Sequence, residues 1–264
     1  MRLEDKIAVV VGGGQQPGET IGNGRATCMR FAQEGAAVMV VDRDIALAEE
    51  TVRMIADEGG SATAHAADIT DEAQCAAIAQ TAQQRYGRID ILHNNVGRSR
   101  GDRATPDMDA DMWDELMAMN LKGMFMTCKH VLPLMRAQGS GVILNISSTS
   151  SVCARQTVTY KTSKGAVNTL THHIAMENAS YGIRANVILP GLMDTPMAIV
   201  RRSNERGVQP DIIRQERDDQ VPLGQKMGTA WDVANAALFL ASDEAKFITA
   251  VVLPVDGGML GRIG

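Results

Sequence analysis

Seven short apolar runs, each separated from the next by a helical pattern, limit what this chain can fold into. The runs are KIAVVV (6–11), AAVMVVD (36–42), SATAHAADI (61–69), IDILHNN (89–95), GVILNISS (141–148), IRANVILP (183–190) and AVVLPVDGG (250–258). Most are almost continuously apolar, which marks strands buried on both faces; SATAHAADI is the weakest. Between them lie NGRATCMRFAQEG, closing at Gly35, then DIALAEETVRMIADEGG and DEAQCAAIAQTAQQRYG, each opening on an acidic cap. Longer helices are expected at 109–138 and 158–181, and another at 229–241. Repeated strand–helix units imply a parallel sheet with helices on both faces. The chain reads as a single domain over 1–264. One stretch breaks the rhythm: 192–228 is polar, charged and punctuated by Pro and Gly, and is expected to be a long irregular lid or binding loop, the alternative being one or two short helices with no function.

The totals exclude several functions. Net charge is −5 with no basic block, so the Lys/Arg stripe of a nucleic-acid binder is missing. No apolar stretch approaches the roughly 20 residues that span a bilayer, and the N-terminus runs straight from a short apolar strand into glycines rather than reading as a signal peptide. Cys28, Cys75, Cys128 and Cys153 are scattered without metal-ligand spacing, and the adjacent His172 and His173 cannot share a helix face. The expectation is a cytoplasmic protein with reduced thiols and no metal site.

The stretch VGGGQQPGETIGNG (11–24) places six glycines between the first strand and the first helix. In an open parallel sheet, ligands bind beyond the C-terminal strand ends, where a helix N-terminus can receive a pyrophosphate. The next strand ends at Asp42, eighteen residues after Gly24. An acid there accepts hydrogen bonds from adenosine ribose hydroxyls and repels a 2′-phosphate. This favours NAD over NADP, although Arg43 beside it could welcome a phosphate.

TYKTSKGAV supplies Tyr160 and Lys164, an i, i+4 pair on one helix face. A neighbouring ammonium would lower the tyrosine pKa, so that the phenol could exchange a proton with a substrate oxygen. Ser147 and Ser148 end the fifth strand, Asn94 to Gly97 (NNVG) end the fourth, and Asn120 lies mid-helix, where asparagine is a poor helix former.

In their order, these motifs resemble those of the short-chain dehydrogenases/reductases. The resemblance runs from Lys6 to Gly258 through the glycine loop, Asp42, Asp68, NNVG, Asn120, serine, YKTSK, PG (190–191) and VDGG. It implies a three-layer Rossmann-type α/β fold, a doubly wound parallel sheet of about seven strands. It further implies that Tyr160 is the general acid/base, that Lys164 lowers its pKa and binds the nicotinamide ribose, that a serine orients the substrate oxygen, and that Asn120 supports a proton-relay water. Gly13, Gly22, Asn23 and Gly24 would hold the pyrophosphate. Asp68 and Ile69 would contact adenine, Asn94 and Gly97 would lie beside the cofactor, and Pro190, Gly191, Leu192 and Thr195 would frame the carboxamide.

The chain departs from the family pattern in three places. Gly12-Gly13 replaces Thr-Gly, and the loop to Gly22 is five residues longer, so QQPGET is expected either to bulge over the cofactor or toward the substrate, or to form an inert surface bulge. Counting back from Tyr160 selects Ser147, whereas counting from Asn145 selects Ser148; the strand anchor favours Ser148. Valine replaces alanine in NNVG. The expected activity is hydride transfer between NAD(H) and a secondary alcohol or ketone. An NADPH-dependent 3-oxoacyl-thioester reductase is the first alternative, and a non-catalytic nucleotide-sensing or scaffold protein the second. Arg98, Arg100, Arg103, Arg155, Arg201 and Arg202 lie in the stretches expected to wall the site and could clamp an anionic substrate, unless they pair with Asp102, Asp107 and Asp109. The family pattern also implies a homodimer or homotetramer.

Overall fold

The computed structural model describes residues 1–153 and 157–262. Each expected run contains a strand: β1 (Ile7–Val11), β2 (Ala37–Asp42), β3 (Ser61–Ala66), β4 (Ile91–Asn94), β5 (Gly141–Ile146) and β6 (Ile183–Pro190). A separate two-residue pairing joins β7 (Met193–Asp194) to β8 (Gly228–Thr229), and β9 (Val252–Val255) completes the main sheet. The seven main strands are parallel, in the order β3-β2-β1-β4-β5-β6-β9. The connecting helices are α1 (Asn23–Gln33), α2 (Ile45–Asp57), α3 (Glu72–Tyr86), α4 (Ala110–Met117), α5 (Gly123–Gln138), α6 (Val158–Asn178), α7 (Pro196–Arg206), α8 (Pro210–Asp218) and α9 (Ala230–Ala241).

The apolar runs are explained by which side each residue faces. Val10 and Val40 pack with Cys28, Phe31, Val233 and Leu238 on one side of the sheet. Their strand neighbours Val9, Val11, Met39 and Val41 pack with Ile78, Ala82 and Met126 on the other. A strand buried on both sides has no position for a polar residue, so it cannot alternate. Helix starts follow local chemistry: the Asp44 carboxylate accepts from the Ala46 N–H at 3.1 Å, and that of Asp71 from the Ala73 N–H at 2.8 Å. With aromatics at only 3%, the helices pack closely on small residues, as where Ala26 meets Ala230 and Ala234.

Two expectations are corrected. The 192–228 stretch is not irregular. It folds into α7 and α8 with the short β7–β8 pairing, around an apolar cluster of its own formed by Leu192, Ile199, Ile213, Val221 and Met227. Proline at the first turn of each helix made the segment look broken, although proline is well tolerated there. The 109–138 helix is interrupted by one π turn, Ala118–Lys122, where the Gly123 N–H donates to the Ala118 carbonyl. No helix among the described residues is long and apolar enough to cross a membrane.

His93, in the middle of β4, is fully buried edge-on to Phe31, and neither ring nitrogen has a hydrogen-bond partner. Burial pushes its pKa down from 6.5 to about 3. Between those values the unfolded chain binds a proton that the folded chain does not, so stability falls as pH drops through this window. Urea denaturation at several pH values should show a shallower acid-side decline in His93→Leu than in the native chain, by up to ~1.4 kcal/mol per pH unit. Equal slopes would exclude His93 as a source of acid sensitivity.

Candidate active site

The C-terminal ends of β1, β2, β5 and β6 open on one cleft of about 820 Å³, with Val11, Asp42, Ile146 and Pro190 in its lining. It lies where the strand order reverses direction about β1 and β4, the location at which doubly wound sheets bind ligands.

One end is built from backbone. Gly22, the N-cap of α1, brings no side chain to that helix end, so first-turn N–H groups are left for a ligand. A Cβ on Gly24 would stand 1.9 Å from the Gly12 carbonyl oxygen, so α1 can approach the loop this closely only with glycine there. Gly12, Gly14, Gly22, Asn23 and Gly24 all line the cleft. Gly13 does not. Its Cβ would strike Val40 and Cys28, and its carbonyl accepts from the Thr51 hydroxyl, so it serves packing of α1 on the sheet. Asp42 lines the cleft and accepts from the N–H groups of Gly14 (3.1 Å) and Asp44 (3.2 Å), while burial holds its pKa above the usual carboxylate value. Arg43, Asp68 and Ile69 lie at the same end.

Gln15, Gln16 and Pro17 of the lengthened loop line the cleft. The Gln15 side-chain oxygen accepts from the Gly22 N–H at 2.5 Å, and its amide donates to the Thr20 carbonyl. Gly18 lies against Pro196 at the start of α7, Thr20 donates to Asp194, and Glu19 pairs with Arg214 of α8 at 2.8 Å. The loop therefore ties the glycine end of the cleft to α7 and α8.

Asn94 was expected beside the cofactor, but it points into the interior. Its amide donates to the Asn145 oxygen at 2.9 Å and its carbonyl oxygen accepts from the Thr127 hydroxyl, joining β4, β5 and α5. Its neighbour Asn95 lines the cleft and donates to the Gly12 carbonyl at 3.1 Å. The signal for Asn95 was its place just past the strand end, where a side chain leaves the sheet. Val96 and Gly97 follow it in the cleft wall.

Tyr160, Lys164 and Ser148 converge on this cleft. The two serines diverge: Ser147 is buried and donates to the Lys164 carbonyl at 2.8 Å, whereas Ser148 is close enough to Tyr160 to draw its pKa down. Lys164 is buried, and its Nζ donates to the Ile146 carbonyl at 2.8 Å and lies 5.8 Å from the centre of the Tyr160 ring. Desolvation pushes its pKa down to about 7. Burial raises the Tyr160 pKa, and Ser148, Arg201 and Arg202 draw it back down. A Cβ on Gly97 would sit 2.7 Å from the Lys164 Nζ, so glycine is what lets the ammonium lie there. Asn120 occupies the π turn; its oxygen accepts from the Arg98 N–H and its amide donates to the Arg98 carbonyl and the Ser163 hydroxyl. π turns of this kind recur at functional sites. Pro190, Gly191, Leu192 and Thr195 border the cleft under the lid.

Asp102 was read from sequence only as a partner for arginines. Its carboxylate instead accepts from the N–H groups of Thr159 (3.1 Å) and Tyr160 (2.6 Å), capping α6 from a distant loop. Asp109 caps α4. Among the arginines, Arg98 pairs with Glu115 and Arg103 lies off the cleft, while Arg100, Arg201 and Arg202 line it. Arg155 lies outside the described residues.

A family model described as enoyl-(acyl carrier protein) reductase matches residues 19–260. A Burkholderia xenovorans structure, provisionally described as a short-chain dehydrogenase/reductase, superposes with a TM-score of 0.94 at 39% identity, covering 100% of this chain and 99% of its own. The 2,5-dichloro-2,5-cyclohexadiene-1,4-diol dehydrogenase LinX of Sphingobium indicum is 35% identical over 97% of both chains. The 3-oxoacyl-[acyl-carrier-protein] reductase FabG of Thermotoga maritima is 34% identical over 98% of this chain and 100% of its own.

Asp102→Ala would leave two α6 N–H groups without their charged acceptor, a loss of about 1.5–3 kcal/mol. The expected result is a melting temperature lower by several degrees and weaker protection of the first turn of α6 in amide exchange. Unchanged protection would show that the cap is not what holds Tyr160 in place.

Proposed function

We propose that this chain, which belongs to the short-chain dehydrogenase/reductase family, is an oxidoreductase that uses NAD(H) to interconvert a secondary alcohol and its ketone. The observation that carries the reading is the meeting of Tyr160, Ser148 and Lys164 in the same cleft as the glycine-lined N-terminus of α1. That end fits a dinucleotide: Gly22, Asn23 and Gly24 would take the pyrophosphate, Asp42 the adenosine ribose, Asp68 and Ile69 the adenine. Asn95 and Gly97 would border the nicotinamide ribose, with Pro190, Gly191, Leu192 and Thr195 at the carboxamide. When bound, the nicotinamide supplies or accepts the hydride.

The protein groups do the rest. The Ser148 hydroxyl holds the substrate oxygen beside Tyr160. Tyr160 removes the hydroxyl proton in oxidation and returns it in reduction. Lys164, fixed on the Ile146 carbonyl, holds the ribose and favours the tyrosinate. Asn120 braces the 97–98 backbone against α6, and its π turn offers a place for a water leading toward Lys164.

Asp42 favours NAD, because a carboxylate at the ribose repels a 2′-phosphate. The alternative, an NADPH-dependent 3-oxoacyl-thioester reductase, draws on Arg43 in the cleft lining and on the Thermotoga maritima relative. Association into a homodimer or homotetramer is part of the proposal. Phe125 on α5, Met176 on α6, and Phe247 and Val252 near the sheet edge are exposed apolar residues that such contacts would cover.

Absorbance assays over a panel of secondary alcohols with each cofactor test the reading. Turnover with NAD⁺ is expected, and Tyr160→Phe should lower kcat by about 10²–10⁴-fold while NADH binding, followed by fluorescence, persists. Asp42→Ala should raise the NADP⁺-to-NAD⁺ ratio of kcat/KM by tenfold or more. A native preference for NADP⁺ would favour the acyl-thioester alternative.

A further inference from the structure

The two ends of the cleft differ in charge. Among the described residues its lining includes two carboxylates, Asp42 and Asp68, near the ends of β2 and β3, with Arg43 between them as the one cation at that end. Beyond Tyr160 the lining turns cationic, with Arg98 and Arg100 on the loop after β4, Arg201 and Arg202 on α7, and Arg217 on α8. Several of these are already engaged. Arg98 pairs with Glu115, Arg217 donates to the Met227 sulfur, and Arg202 donates to the Ala198 carbonyl.

Arg201 differs. Its guanidinium donates from one nitrogen to the Ser99 hydroxyl at 3.2 Å, which draws it across from the lid to the opposite wall. Its Nε is buried with no hydrogen-bond partner, and its one anionic neighbour is the half-exposed Glu205 carboxylate of the same helix, an ion pair at 3.8 Å that makes no hydrogen bond. A guanidinium has five N–H donors in a planar fork that matches an oxyanion, and leaving such donors unmet in a part-buried site is costly. The charge also reaches the reacting end of the cleft, because Arg201 and Arg202 both pull the Tyr160 pKa down against the effect of burial.

We infer that the substrate is a hydroxy acid, and that Arg201, supported by Arg202, binds its carboxylate while the alcohol carbon lies against Tyr160 and Ser148. This rests on the oxidoreductase reading and narrows it. A neutral alcohol of the same shape would leave the Arg201 guanidinium with only Ser99 and the more distant Glu205 for partners.

The test compares 2-, 3- and 4-hydroxy carboxylates with their methyl esters, using the full-length protein and its preferred nicotinamide cofactor. The native enzyme is expected to favour at least one acid over its ester by tenfold or more in kcat/KM. Arg201→Met should collapse that acid-to-ester ratio at least tenfold, whatever its absolute rates, and Arg201→Lys should recover part of it. Native thermal shift with the same acids, reduced in Arg201→Met, gives a readout that needs no turnover. A native ratio near one, or a ratio unchanged in Arg201→Met, overturns the hydroxy-acid inference. If esters and neutral alcohols are still oxidised in a Tyr160-dependent way, the oxidoreductase reading survives that loss. Absence of turnover on every substrate, with NADH bound, overturns the oxidoreductase reading and this inference with it.

Discussion

Both faces of the parallel sheet are covered by helices, so a polar or charged side chain can reach solvent only where a strand ends. That constraint decides where chemistry can occur. Val11, Asp42, Ile146 and Pro190 stand at the ends of four of the sheet's strands and border one cleft, and residues just beyond a strand end are released from the apolar demand of the interior. Asn95, Ser148 and Gly191 are all such residues. Even Lys164, buried on α6, finds its acceptor in the carbonyl of the last β5 residue, Ile146.

Charge within the cleft follows from the same geometry. The glycine end presents backbone N–H groups and the positive end of α1, with glycine making the close approach sterically allowed at Gly24. The lid end presents guanidinium groups from α7. Tyr160 lies between, with burial pushing its pKa up and Ser148, Arg201 and Arg202 pulling it down. The arginines at one end of the cleft therefore enter the proton balance of the phenol at its centre.

The long glycine loop gives this molecule a connection between its two ends. Glu19 and Thr20 reach Arg214 and Asp194, and Gly18 packs on Pro196. Arg214 also bonds Asp194 and Asp211, and these partners raise its pKa further. The lid helices, which have their own small apolar cluster, are thus tied to the loop at α1 by polar contacts rather than by a shared core. Polar contacts of this kind can exchange with water at less cost than a packed core can open.

By itself, the sequence determined the fold class, because the period of apolar residues records how many faces of a strand are buried and needs no knowledge of partners. It also brought together Tyr160 and Lys164, whose spacing on one helix is fixed by local geometry. It located the glycine loop and Asp42 by their place at strand ends. What it could not decide was direction and pairing. Whether Gly13 faces the ligand or Val40, whether Asn94 or Asn95 enters the cleft, and whether Ser147 or Ser148 meets Tyr160 each depend on a rotation of one residue at a strand end. Packing from distant segments sets that rotation. Asp102, the acceptor for α6, lies 58 residues from Tyr160 in sequence, and the loop at 14–21 finds Arg214 across 195 residues. These contacts were left to the tertiary structure because hydrogen bonds and ion pairs between remote segments leave no period in the sequence, whereas burial of a repeating face does.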